Sequence, residues 1–165
     1  MFKKIIALVM AVLFIFAISG CGEKTNTAAD FVEAINESYV NMLRIEATTF
    51  TAKVQRLDNS NPGSFSEYLQ AEKEMLSQAK LESAEYLSIV EANEAKVSEL
   101  YNSLSSDSEI SGEIKKEADK MYESYQYMLN CVTDDFMSYL SWYEEFPTKA
   151  AEFDESMKKI EKLID

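Results

Sequence analysis

Helix breakers are scarce in this chain, and that scarcity constrains the fold more than any other feature. Beyond residue 26 there are two glycines, Gly63 and Gly112, and two prolines, Pro62 and Pro147. Gly and Pro are the strongest local punctuation a sequence has, so residues 27–165 must form a few long elements. The apolar positions say which kind. Phe31, Ile35, Tyr39, Met42, Phe50, Val54 and Leu57 recur at steps of three, four and their sums, the mark of one helical face.

Helix 1 is therefore expected from Thr27 to about Asp58, about 45 Å at 1.5 Å per residue. The turn formers Asn59 to Gly63 end it. Ser64-Phe65-Ser66-Glu67 reads as a capping box, in which serine and glutamate each serve an unpaired backbone N–H. Helix 2 then runs to about Ser105 without a breaker, on a seam through Leu69, Leu76, Ala79, Tyr86, Val90, Val97 and Leu104. Polar Glu72, Ser83 and Asn93 interrupt that seam. Such residues set register at some cost in stability; lining a site is the other use open to them.

A second turn, Ser106 to Glu113, precedes helix 3. Its main stripe includes Ile114, Ala118, Met121, Tyr125, Met128 and Val132, and a second stripe begins at Tyr122. Two stripes make a wide apolar face that needs at least two neighbours. Pro147 disfavours helix at the residue before it, yet Phe146, Ala150, Phe153, Met157 and Ile160 keep the phase across it. A straight continuation would overhang the bundle by about 25 Å, which favours a break at Pro147. The expected fold is thus all-α, an antiparallel bundle of three long helices plus a shorter C-terminal helix. A third helix kinked at Pro147 is the alternative. Unequal lengths predict a compact, aromatic-rich four-helix end and a protruding two-helix hairpin around residues 95–120.

Residues 1–20 are of another kind. Lys3 and Lys4 precede an apolar run from Ile5 to Ile18, then small residues Ser19 and Gly20 before Cys21. A positive end, a short apolar middle and a small-residue exit make a secretory signal peptide; the run is below the roughly 20 residues that cross a bilayer core. The box Ile18-Ser19-Gly20-Cys21 resembles the lipobox of bacterial lipoproteins. That resemblance covers residues 1–21 and implies cleavage before Cys21 with a diacylglycerol on its sulfur. It also implies an exported protein, held on the extracytoplasmic face of a membrane through that lipid. The expected organisation is a removed leader (1–20), a lipidated cysteine with a short tether (21–26) and a helical domain (27–165). The mature domain resembles no specific family.

Charge narrows the partners. The full chain carries −13, and losing Lys3 and Lys4 with the leader takes it to −15. So acidic a surface is repelled by phosphate backbones, which argues against nucleic-acid binding. Cys21 is committed to lipid, so Cys131 has no internal disulfide partner and reads as a small buried apolar residue beside Val132.

Residue types exclude much chemistry. The chain has no histidine, so Ser-His and Cys-His catalysis and histidine metal sites are out. Asp134-Asp135 and Glu144-Glu145 are adjacent pairs that splay about 100° apart on a helix and read as a solvated face. Met42, Met75, Met121, Met128, Met137 and Met157 sit at apolar helical spacing, where filling a core is the usual use. No cofactor, metal or enzymatic role is expected. The leading expectation is an interaction or scaffold module for an envelope protein partner. The alternative is a small-ligand-binding lipoprotein with an aromatic-lined site, bordered by Tyr125, Tyr139, Trp142 and Tyr143.

Overall fold

The computed structural model describes residues 23–60, 63–133 and 139–164, with side chains described at 27–51, 63–133 and 144–164. The described residues form five helices: α1 (Glu23–Ser60), α2 (Phe65–Glu82), α3 (Ala84–Ser106), α4 (Gly112–Thr133) and α5 (Tyr139–Ile164). Among the described residues there is no β-strand. The architecture is all-α, as the spacing requires, but it is not three long helices and a short one.

The helix expected over 65–105 is two helices, and the reason is Ser83. Its side chain is fully buried, and its hydroxyl donates to the Ala79 carbonyl. Its own N–H donates to that same carbonyl at 3.0 Å. A serine bonding back to the carbonyl four residues earlier bends a helix, and the backbone here departs to φ −104°, ψ 11°. Helix resumes at once, with Leu87 N–H on the Ser83 carbonyl at 3.0 Å. The seam serine is therefore a kink.

Pro147 does not end a helix. It lies inside α5, exposed to solvent, and α4 has already ended at Thr133. A proline in a helix interior costs on the order of 3 kcal/mol. Against it stand Phe146, Phe153 and Ile160, each with 1 % or less exposure and each contributing about 1.5–3 kcal/mol by burial. Burial wins, and the apolar phase across the proline was the better guide.

The hairpin expected to protrude around 95–120 is instead enclosed. α1 starts at Glu23, earlier than expected. Phe31 on α1 meets Tyr101, ring centroids 6.1 Å apart. From the other side α5 brings Ser156 and Lys159 to Glu117. Val97, Leu104 and Ala118 are completely buried. The α3–α4 turn is closed by its own polar atoms. Asp107 Oδ1 accepts from Glu109 N–H at 2.8 Å, Ser111 Oγ from Ile114 N–H at 3.2 Å, and Lys115 Nζ donates to the Ser105 carbonyl at 3.0 Å.

Side-chain contacts fix the packing. Phe31 against Tyr101 and Arg44 over the Tyr86 ring set α1 antiparallel to α3. Ser98–Tyr122 and Lys115–Ser105 set α3 against α4, and Ser124–Glu152 and Glu117–Ser156 set α4 against α5. Tyr39 stacks on Phe153 at 4.1 Å and ties α1 to α5. One core runs through all four helices, while α2 has a small cluster of its own, Met75 and Ala79 with Ala71 and Leu76. The capping box forms: Glu67 N–H donates to Ser64 Oγ at 3.3 Å, and Glu67 reaches back to Gly63 N–H at 2.8 Å. Its first turn nonetheless leaves Phe65 76 % exposed.

Candidate functional site

A ladder of tyrosines crosses the seam between α3 and α4. Tyr101 and Tyr122 stack face to face, centroids 4.0 Å apart and planes 7° from parallel, and Tyr122 continues to Tyr125 at 6.0 Å. Positions 122 and 125 are three apart on α4, so they share a face. Tyr101 faces them because the α3–α4 turn sets the antiparallel register. The outer hydroxyls are satisfied. Tyr101 donates to Asp119 at 2.9 Å, and the Tyr122 and Ser98 hydroxyls share a bond of 3.0 Å.

The inner end of the ladder is enclosed. Tyr125 is completely buried, and burial pushes its pKa up to about 12, with a smaller upward push from Glu94. Its hydroxyl stays a donor at any ordinary pH. Ser38, equally buried, lies close enough to hold that rise down. On α3, Asn93 also buries its Nδ2, which meets no acceptor in hydrogen-bond geometry among the described residues.

Other polar groups are paired. Glu117, 7 % exposed, receives Lys120 at 2.8 Å and Ser156 at 3.3 Å, with Lys159 at 3.7 Å. The Lys120 hydrogen bond is the first cause holding its carboxyl below the ordinary value, against the opposing effect of burial. Beside it an open cleft of about 200 Å³ separates α4 from α5, its walls including Lys120, Ser124, Glu152 and Lys159. Cys131 is buried, and burial pushes its thiol up to about 12, which makes it an inert core residue. Among the described residues, no group of three or more His, Cys, Asp or Glu gathers to hold a metal ion.

Of the four aromatic residues named from sequence, the structure places Tyr125 at the centre of this cluster. Tyr139, Trp142 and Tyr143 begin α5, and their side chains lie outside the described residues, as does Cys21. Sequence reasoning missed Ser38 and did not join Tyr101 and Tyr122 to Tyr125. Asn93 was visible as a polar interruption of the helix 2 seam. Ser38 had the same signal, a small polar residue on the buried side of helix 1, between Ile35 and Met42. No described helix is long and apolar enough to cross a membrane. No protein-family model matches the chain, and no curated protein and no solved structure shows significant similarity to it.

Proposed function

We propose that the chain is a lipid-anchored, extracytoplasmic binding protein that holds a small molecule between α1, α3 and α4, without catalysing its conversion. The observation that carries this reading is the stacked Tyr101–Tyr122–Tyr125 ladder, which runs from the partly buried rim of α3 and α4 to the buried Tyr125 hydroxyl beside Ser38. Ligand sites in helical proteins lie between helices and combine apolar walls with a few convergent polar groups, and this level of the bundle has that make-up. The anchor rests on the lipobox-like residues 18–21. With α1 helical from Glu23, two residues after Cys21, the domain would sit close to its lipid. Two or more acyl chains make such residence stable.

The test uses mature protein extracted from its own membranes. A ligand that binds only the folded state raises unfolding free energy by about 2.7 kcal/mol at a hundredfold excess over its Kd. A low-molecular-mass fraction of the culture medium is expected to raise the unfolding temperature of wild type and not of Tyr125→Phe. An equal rise in both, or none in either, contradicts the reading.

One observation favours a second reading, an interaction module for an envelope protein. α2 leaves Phe65, Leu69 and Leu81 at 76 %, 47 % and 70 % exposure. Under that reading Phe65→Ser with Leu69→Ser abolishes a specific crosslink at the cell surface, whereas Tyr125→Phe leaves it intact.

A further inference from the structure

We propose that the exposed end of α2 is a self-association surface, and that its occupant is the same end of a second copy of this chain. This goes beyond the ligand-binding reading and stands independently of it.

Shape comes first. Lys80 Nζ donates to the carbonyl of Thr133, the last residue of α4, at 3.3 Å, so α4 ends level with Lys80. Tyr127, six residues before the end of α4, bonds to Glu145, six residues after the start of α5. α5 therefore starts at that same level. Among the described residues only α1 and α2 continue past it, as a two-helix arm. From Phe65 to Lys80 the arm extends about 22 Å at 1.5 Å per residue.

The apolar stripe of the arm outruns its cover. Phe65, Leu69, Glu72, Leu76 and Ala79 step by four and three along one face of α2. Ala79 is buried and Leu76 half-buried, yet every residue from 63 to 70 is exposed. Phe65, Tyr68 and Leu69 together leave roughly 300 Å² of side chain open to water, the size of patch that marks an interaction site. Two such patches facing each other fall in the class of small interfaces, below about 1,200 Å². A weak, reversible dimer is the consequence.

Charge selects the occupant. Past Arg44, which sits over Tyr86 on α3, residues 45–80 hold five acids and four Lys or Arg, a net of −1 within a chain of −13. The acidic surplus therefore lies outside the arm. A basic partner would gain most on that acidic remainder and would find nothing to attract it at the arm. Two copies of the chain repel one another through the remainder and not through the arm. The arm's reach of about 22 Å exceeds the Debye length of about 8 Å at physiological ionic strength, so tips can meet while the acidic bodies stay screened. A two-fold axis lets the two patches cover each other, and two α1–α2 pairs make a four-helix bundle.

The experiment crosslinks Leu69→Cys with a short thiol reagent, in whichever cell fraction holds the protein, so that the anchor is not at stake. Cys131 is buried with its thiol pushed up to about 12 and stays unreactive. A homodimer is expected, with a yield that rises as salt goes from about 0.01 M to about 0.15 M and the Debye length falls from about 30 Å to about 8 Å. Adding Phe65→Ser is expected to weaken the dimer about tenfold. Ser66→Cys keeps all three apolar side chains and is expected to give the same homodimer should Leu69→Cys weaken the patch. No homodimer from either cysteine, an equal yield from Leu81→Cys on another face of α2, or a yield that falls with salt overturns the proposal. A crosslink to a different protein in place of the homodimer overturns it too, and assigns the patch to that partner.

Discussion

Tyr125 and Glu117 are both buried on α4, yet they make opposite statements about energy. The Tyr125 hydroxyl faces Ser38 without meeting strict hydrogen-bond geometry, so deleting it forfeits little and leaves an aromatic ring in place. Ligand-free Tyr125→Phe is expected to melt no lower than wild type; a fall of several degrees would mean that the hydroxyl is bonded in solution. Glu117 is paired, and removing its charge should matter only where it is ionised. Its folded pKa is held below the ordinary 4.5, by the Lys120 hydrogen bond first and with help from Lys159 and Ser156. A depressed carboxyl contributes stability above its unfolded pKa and loses it as pH falls through the folded value. Acidification from neutral pH to below 4.5 should therefore lower the melting temperature of wild type more than that of Glu117→Gln. Equal slopes would show that the lysines, both substantially exposed, contribute nothing measurable.

Helix ends and bends carry the fold's local decisions. Pro147 is solvent-exposed inside α5, so Pro147→Ala restores an N–H and relieves a steric clash without opening a cavity. The expected gain is on the order of 1–3 kcal/mol, measured by chemical denaturation. No gain, or a loss, would place a helix boundary at the proline after all. Much of this level was legible in the chain. The Ser64 cap and the turn after Ser106 lie where the composition puts them, because each rests on local chemistry. The kink at Ser83 and the continuity through Pro147 were not readable the same way. A buried serine bonded back to Ala79 and an apolar face held by the other helices are tertiary facts, and tertiary burial outweighs local propensity. The same limit hid Ser38. Its polarity is plain in sequence, but its place beside Tyr125 is visible only when α1 and α4 are assembled.

At the scale of the whole molecule the chain is a four-layered bundle whose second passage is bent, with α2 as its loosest part. α2 has only Met75 and Ala79 fully buried, in a cluster separate from the main core. Hydrogen exchange should therefore find α2 amides opening well before those of α4, where ten residues are buried. The proposed anchor belongs to this scale as well. Cys21→Ser is expected to release the protein from the membrane or leave its leader uncleaved, and normal processing with membrane retention would contradict it. The central claim, however, is that the middle of the bundle is a site and not only a core. The most direct measurement is high-resolution density along the Tyr101–Tyr122–Tyr125 ladder in protein isolated from its own membranes. A bound molecule larger than water against the tyrosine rings is the predicted result. A ladder closed by side chains alone, or by water molecules, would contradict it.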